Sequence, residues 1–282
     1  RRRRRKIRCS AVFTCSIIAV AVFVIVGSRI ITSGDGGTNK YDVEAGNNTY
    51  DNADIENTKI SEKNKIQNNQ SMLDDIMNST QYPKQLQELA LKNEEALEFV
   101  YDYPTEHVKE HIVDLTEEAS MDSVPLFVQW DKRWGYEKYS GNFFAASGCG
   151  PTTLSMVVVY LTDNRDASPL AVAKYSKEAG YSVDGSGSSW TLISEGCRHY
   201  GVKAKTVALD ESRMKAELDA GHPIVVNVGP GDFTDTGHFM VITGYDDEGF
   251  SINDPNSIEK SGKRWLFKNI SSQIRAVWSM YV

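Results

Sequence analysis

Three residues of this chain, Cys149, His238 and Asp254, are of types that together can move a proton and form a covalent bond. Cys149 stands in "ASGCGPTT", just before an apolar run with Leu154, Val157, Val158 and Leu161 at helical spacing. Pro151 suits a first helical turn, and Gly148 and Gly150 leave open backbone on either side, so the thiol falls at a helix amino terminus. There the helix dipole and free N–H groups favour thiolate, and the pKa of such cysteines drops from about 8.5 to roughly 3.5–7.5. His238 begins the β-rich run "HFMVITGYD", and Asp254 stands near the end of the next, "GFSINDPN". "DDEG" between them reads as a hairpin turn that brings the two side chains toward one another. A thiol nucleophile, an imidazole that takes its proton and a carboxylate that orients the imidazole form an acyl-transfer site working through a thioester. Singly, each residue has a plainer use, as a small hydrophobe, a core histidine or a turn residue before Pro255. Their joint occurrence favours chemistry.

The elements that must position them read as an α+β domain. The helix after Cys149 runs to about Thr162, and further helical patterns cover "SPLAVAKYSKEAG" and "SWTLISEGCRHYG". "HPIVVNVG", "HFMVITGYD" and "GFSINDPN" read as adjacent strands. Helices first and antiparallel strands after give the α+β layout. Upstream, "YPKQLQELALKNEEALEFVYDYP" carries Leu86, Leu89, Ala90, Asn93, Leu97 and Val100 near helical spacing, which predicts one amphipathic helix between Pro83 and Pro104. A second, shorter helix is predicted over "TEHVKEHIVDLTEEA". On it His107 and His111 fall at i and i+4, a spacing that can hold a metal, but no third ligand follows and the stretch reads as a solvated helix face. Trp130 and Trp134 read as core or groove wall. "VDGSGSSW" lacks the lysine of a phosphate loop and reads as a flexible loop near the cleft. "GPGDFTDTG" offers glycines that permit backbone approach to an extended substrate, or a plain turn.

The chain has 282 residues and a net charge of −7, with eight of its basic residues among the first 29, so residues 30–282 carry −15. So acidic a body excludes nucleic acid as a partner, because phosphate contacts need clustered Lys and Arg. Behind a basic tail (1–8), residues 9–28 form an uncharged run of the length that crosses a hydrocarbon core. It is expected to be a transmembrane signal-anchor helix, with a cleaved signal peptide as the competing reading. Basic residues stay on the cytoplasmic side, so the rest of the chain is expected outside the cell membrane, anchored by a single pass. Residues 29–70 are polar and predict an unfolded linker, 71–122 a helical segment, and 123–282 the catalytic domain. Of the four cysteines, Cys9 and Cys15 fall in or beside the span. Cys149 and Cys197 are left outside it, either as free thiols or as a disulfide.

"GCGPTTLSMV", "GHFMVITGYD" and "NDPN", in this order, resemble the double-glycine leader peptidase-like (peptidase C39-like) family of papain-like cysteine peptidases over about Val124 to Val282. The helical stretch upstream resembles one found before this domain in membrane-anchored bacterial members. The resemblance implies a papain-like fold, with a nucleophile helix packed on an antiparallel half-barrel. It also implies Cys149 as nucleophile, His238 as general base and Asp254 as its orienter. Papain-like enzymes also use a glutamine upstream of the cysteine to hold the oxyanion. Gln129 is the candidate here, although it lies about twenty positions before Cys149 and Phe143 occupies the place where leader peptidases have theirs. A structural hydrogen bond in "VQWDKRW" is the competing role for Gln129. Leader peptidases proper are fused to ATP-driven exporters and work in the cytoplasm. With the domain outside, the compatible substrates are extracellular peptides, wall cross-bridges or a surface partner protein. Neither metal nor organic cofactor is called for. The implied activity is hydrolysis of peptide or amide bonds through an acyl-enzyme, with transfer to an amine left open. The alternative is a surface-tethered peptide- or wall-binding module without turnover.

Overall fold

A computed structural model gives the fold and describes residues 50–282. The predicted basic tail, the span 9–28 with Cys9 and Cys15, and the linker up to residue 49 lie outside the described residues. No helix among those described is long and apolar enough to cross a membrane.

A helix, α1 (Tyr50–Asn78), occupies ground where composition predicts an unfolded linker to residue 70. Neither Gly nor Pro occurs between Tyr50 and Tyr82, and a helix satisfies its own backbone without needing an apolar face. Residues from Gln67 onward belong to the compact unit that runs to Val282. In that unit Met72, Leu73 and Ile76 turn onto a core cluster. The single helix predicted between Pro83 and Pro104 is broken. After α2 (Lys84–Lys92), Asn93 adopts an extended backbone, and its side chain accepts the Glu95 N–H at 3.0 Å. A 3₁₀ turn (Glu94–Ala96) and α3 (Leu97–Tyr101) follow. The apolar spacing runs straight through the break because both halves bury the same face, with Leu86, Leu89, Leu97 and Val100 in one cluster. The second predicted helix also fails. Tyr103–Glu106 and Thr116–Ser120 are single turns, and the stretch between them is not helical. His107 stacks on Tyr103 with ring centroids 4.1 Å apart, and because residues 107–111 are not helical the i, i+4 helical spacing of the two histidines does not apply.

The centre of the domain is a six-stranded antiparallel sheet. Its strands are β1 (Lys203–Thr206), β2 (Ile224–Val228), β3 (His238–Asp246), β4 (Gly249–Asn253), β5 (Arg264–Trp265) and β6 (Ile274–Tyr281). Their order is β1-β6-β2-β3-β4-β5. The three strands read from the sequence are neighbours, with Val228 opposite His238 and Val241 opposite Asn253. Alternation along them separates two cores. Val225, Phe239, Val241, Trp278 and Met280 face the helix α4 (Cys149–Thr162), with α5 (Pro169–Glu178) beyond it. Ile224, Val226, Met240, Ile242 and Val277 face the opposite way and enclose Met214 and Leu218 of α6 (Glu211–Asp219). A third cluster joins the helical segment before residue 106 to Phe143 and Ala145. The predicted helix around Cys197 is only a turn (Thr191–Ser194) followed by 3₁₀ (Gly196–Tyr200).

Candidate active site

Cys149 is the first residue of α4, whose next ten residues, Gly150 to Val159, are fully buried. A thiol at the head of such a helix is held in place by the core itself. The two flanking glycines are required by close approach. A Cβ at Gly148 would stand 2.5 Å from the Phe144 ring, and one at Gly150 would stand 2.5 Å from the Ser188 hydroxyl. One turn into α4, the buried Thr153 hydroxyl donates to the Phe239 carbonyl at 3.0 Å, pinning the helix to β3 next to His238.

His238 opens β3, and Asn227 of the neighbouring β2 donates to its carbonyl at 3.2 Å. Its Nε2 donates to Asp254 Oδ1 at 2.7 Å, leaving Nδ1 as the nitrogen available to the thiol. The imidazole is 7% exposed and the carboxylate 0%. Asp254 lies one residue past β4, where the chain turns back through the Asp254–Ser257 bridge. The Asn256 N–H also donates to Oδ1 at 2.8 Å, so this oxygen is held from two sides. Its mate, Oδ2, is buried without a hydrogen-bond partner.

These contacts polarise the pair. Burial pushes the Cys149 thiol up, but hydrogen bonding to His238, the imidazolium charge and the N–H groups of Phe239 and Gly150 outweigh it and hold the thiol below its usual value. Burial alone pulls His238 down, yet the charge and hydrogen bond of Asp254, together with Cys149, raise it well above an ordinary imidazole. Both shifts act in one direction, each group favouring the charged form of the other. Cys197 contrasts with this. It is a free, buried thiol whose burial pushes it up to about 11.

Half-buried Cys149 opens into a cleft of about 750 Å³. Its walls include Gly185 to Ser188 of the "VDGSGSSW" loop and Gly229, Pro230, Thr236 and Gly237 around the "GPGDFTDTG" turn. Trp190, the last residue of that loop, lines it too, and sequence reasoning missed Asn142, Asn227 and Arg275, which also do. Among the described residues on these walls, Arg275 is the one side chain of Lys, Arg, Asp or Glu type. A register shift in β6 between Ile274 and Ala276 places it there, a local bulge with no sequence signal.

Gln129 is 4% exposed and stands apart from the Cys149 cleft, lining the adjoining groove with Asn142 and Ala146. Its Nε2 donates to the Ala145 carbonyl at 2.7 Å and its Oε1 is buried without a partner. In this geometry one Nε2 hydrogen braces the loop leading into Cys149, and the amide keeps a second hydrogen to donate. Trp134 is core, with its ring N–H on the Val128 carbonyl, and Trp130 donates to the Asn256 carbonyl at 3.3 Å.

No curated protein matches the chain. Solved structures that resemble it in part include two peptidases. The peptidase domain of Streptococcus ComA, a bi-functional ABC transporter involved in a quorum sensing pathway, is 20% identical, with 48% of this chain and 90% of that one covered and a TM-score of 0.38. A putative C39-like peptidase from Bacillus anthracis is 16% identical, with 56% and 95% covered and a TM-score of 0.36. The sequence profile of the Peptidase_C39 like family matches residues 121–282, which hold all three members of the Cys149, His238 and Asp254 constellation. That match spans more than half of the chain, which therefore belongs to the peptidase C39-like family.

Proposed function

We propose that the chain is a cysteine peptidase-like hydrolase that cleaves peptide or amide bonds, with Cys149 as nucleophile, His238 as base and acid, and Asp254 as orienter. One observation carries this reading: a thiol at the head of a buried helix faces an imidazole whose far nitrogen is held at 2.7 Å by a fully buried carboxylate. The thiolate Sγ attacks the substrate carbonyl carbon, and the π electrons move to oxygen. The developing charge meets the backbone N–H of Cys149, which as the first helical residue has no intrahelical acceptor. Collapse expels the amine, which takes a proton from His238 Nδ1 and leaves a thioester. Water then gives a proton to Nδ1 as its oxygen attacks the thioester carbon. The sulfur leaves as thiolate and the carboxylic acid departs. An amine in place of water would yield acyl transfer by the same steps, and product analysis with an added amine separates the two.

The uncharged run 9–28 behind its basic octapeptide supports an anchored domain lying outside the membrane, acting on extracellular or wall peptides. The test is alkylation of Cys149 by iodoacetamide against pH, with Cys197 as internal control. Labelling at pH about 6 is expected to be rapid, and it should fall to plain-thiol behaviour in His238→Ala. Cys149→Ala should hydrolyse nothing while keeping its fold. A Cys149 that reacts only near pH 8.5, like a free thiol, would overturn the reading and leave a binding module in its place.

A further inference from the structure

The catalytic aspartate does not stand on a strand but on the turn that follows one, and a turn needs bracing. From inside the domain, Asp254 N–H donates to Ser261 Oγ at 2.9 Å and Gln129 N–H donates to the Pro255 carbonyl at 2.7 Å. Trp130 also donates to the Asn256 carbonyl at 3.3 Å and Ser257 N–H to the Asp254 carbonyl at 3.2 Å, and a further set of braces comes from the helical segment upstream, outside the span that the family profile matches. Asn93 Nδ2 donates to both the carbonyl and the side-chain oxygen of Asn256, at 3.0 and 3.1 Å. The Glu95 carboxylate accepts from the Ile258 N–H at 2.7 Å, from the Glu259 N–H at 3.1 Å and from the Ser257 hydroxyl. Asn256, gripped by Asn93, is the residue whose own N–H holds Asp254 Oδ1, the oxygen bound to His238.

The break at Asn93 makes this possible. Its Oδ1 caps the turn that starts at Glu94, which frees Nδ2 to reach Asn256 and directs Glu95 at Ser257. An unbroken helix from Lys84 to Tyr101 would make neither contact. The segment from Gln67 to Glu106 contributes no wall to the Cys149 cleft, so it does not cover the nucleophile.

We propose that Asn93 and Glu95 are positioning residues for the catalytic aspartate, so that the helical segment before the family domain is a working part of the active site. The inference rests on the thiol-hydrolase reading above. It acts through geometry: a loosened Asp254 turn lengthens the bond to His238, and the imidazolium then stabilises the thiolate less. Asp254 and Cys149 are the ionisable groups that act on His238.

The experiment is the pH profile of Cys149 alkylation and the split of kcat from KM in the full chain, for wild type, Glu95→Gln and Asn93→Ser. The serine keeps a cap for Glu95 N–H but cannot reach Asn256. In both variants, thiolate labelling at pH about 6 is expected to fall about tenfold relative to pH 8.5, with kcat lowered and KM unchanged. Glu95→Asp should recover part of the loss. Profiles that superimpose on wild type, or rates that fall equally at every pH, overturn the positioning role while leaving the hydrolase reading intact. A wild type without low-pH labelling overturns the hydrolase reading itself, and this inference with it.

Discussion

A carboxylate beside an imidazole does two separable things: it selects which ring nitrogen carries the proton, and it holds that proton against loss at high pH. Asp254→Asn separates them. The amide oxygen still accepts from Nε2, so orientation survives, but the charge that raises His238 is gone. Because that charge raises the folded pKa, its removal lowers it. The alkaline limb of the kcat/KM profile is therefore expected to move toward acid by at least about one pH unit, with activity near pH 6 reduced far less. An unmoved limb would mean that Asp254 only orients. Arg275 invites a test of specificity. It donates to the Ser272 carbonyl at 2.7 Å and among the described residues forms no ion pair with a carboxylate, so its charge is offered to whatever fills the cleft. Arg275→Gln is expected to raise KM about tenfold for peptides carrying a carboxylate near the scissile bond and to leave neutral peptides unchanged. Equal effects on both sets would remove Arg275 from substrate recognition.

At the scale of elements, the site is a contact between one helix and one strand. Thr153→Val keeps the volume of a fully buried side chain but deletes its bond to the Phe239 carbonyl. The expected cost is about 1 kcal/mol in denaturant unfolding. A fall in kcat of roughly tenfold or more, with KM held, is expected as α4 slides on β3. If stability falls and kcat does not, the bond serves folding alone. This contact also shows what sequence can and cannot convey. A helix start at Cys149 and a hairpin carrying His238 and Asp254 are local signals, and both stand where the residues predict. Asn93 interrupts a helix whose apolar spacing continues unbroken, because its side chain competes for a backbone N–H, a contest that periodicity does not register. Glu95 meets Ser257 across 162 positions, and β6 enters the sheet between β1 and β2 from the far end of the sequence. Gln129 is a readable candidate, but the carbonyl that claims its amide, Ala145, is a matter of packing alone.

For the whole molecule, the question is what keeps the sheet and its covering helices together as pH changes, in a chain whose body is strongly acidic. Glu217 on α6 is one tie. It accepts from Ser279 on β6 at 2.8 Å, from Lys205 on β1 at 2.9 Å and from His222 at 3.0 Å. Burial pushes this carboxyl up, but the three hydrogen bonds outweigh burial and bring it down from 4.5 to about 2. A carboxyl lowered in the folded state stabilises fully above its unfolded value, and that contribution drains away as pH falls through the folded value. The window is therefore about pH 4.5 down to 2. Glu217→Gln is expected to unfold more easily at pH 7 by about 1–2 kcal/mol, less than the full shift would suggest because part of the carboxylate meets solvent. As the pH is lowered through the window, the gap between variant and wild type should close, since protonation does to wild type what the substitution does to the variant. Urea titrations at pH 7, 4 and 2.5 read this directly. A gap that stays constant across them would mean that the side chain's shape, and not its charge, holds α6 to the sheet. Activity should survive the substitution at pH 7, because Glu217 is absent from the walls of the Cys149 cleft.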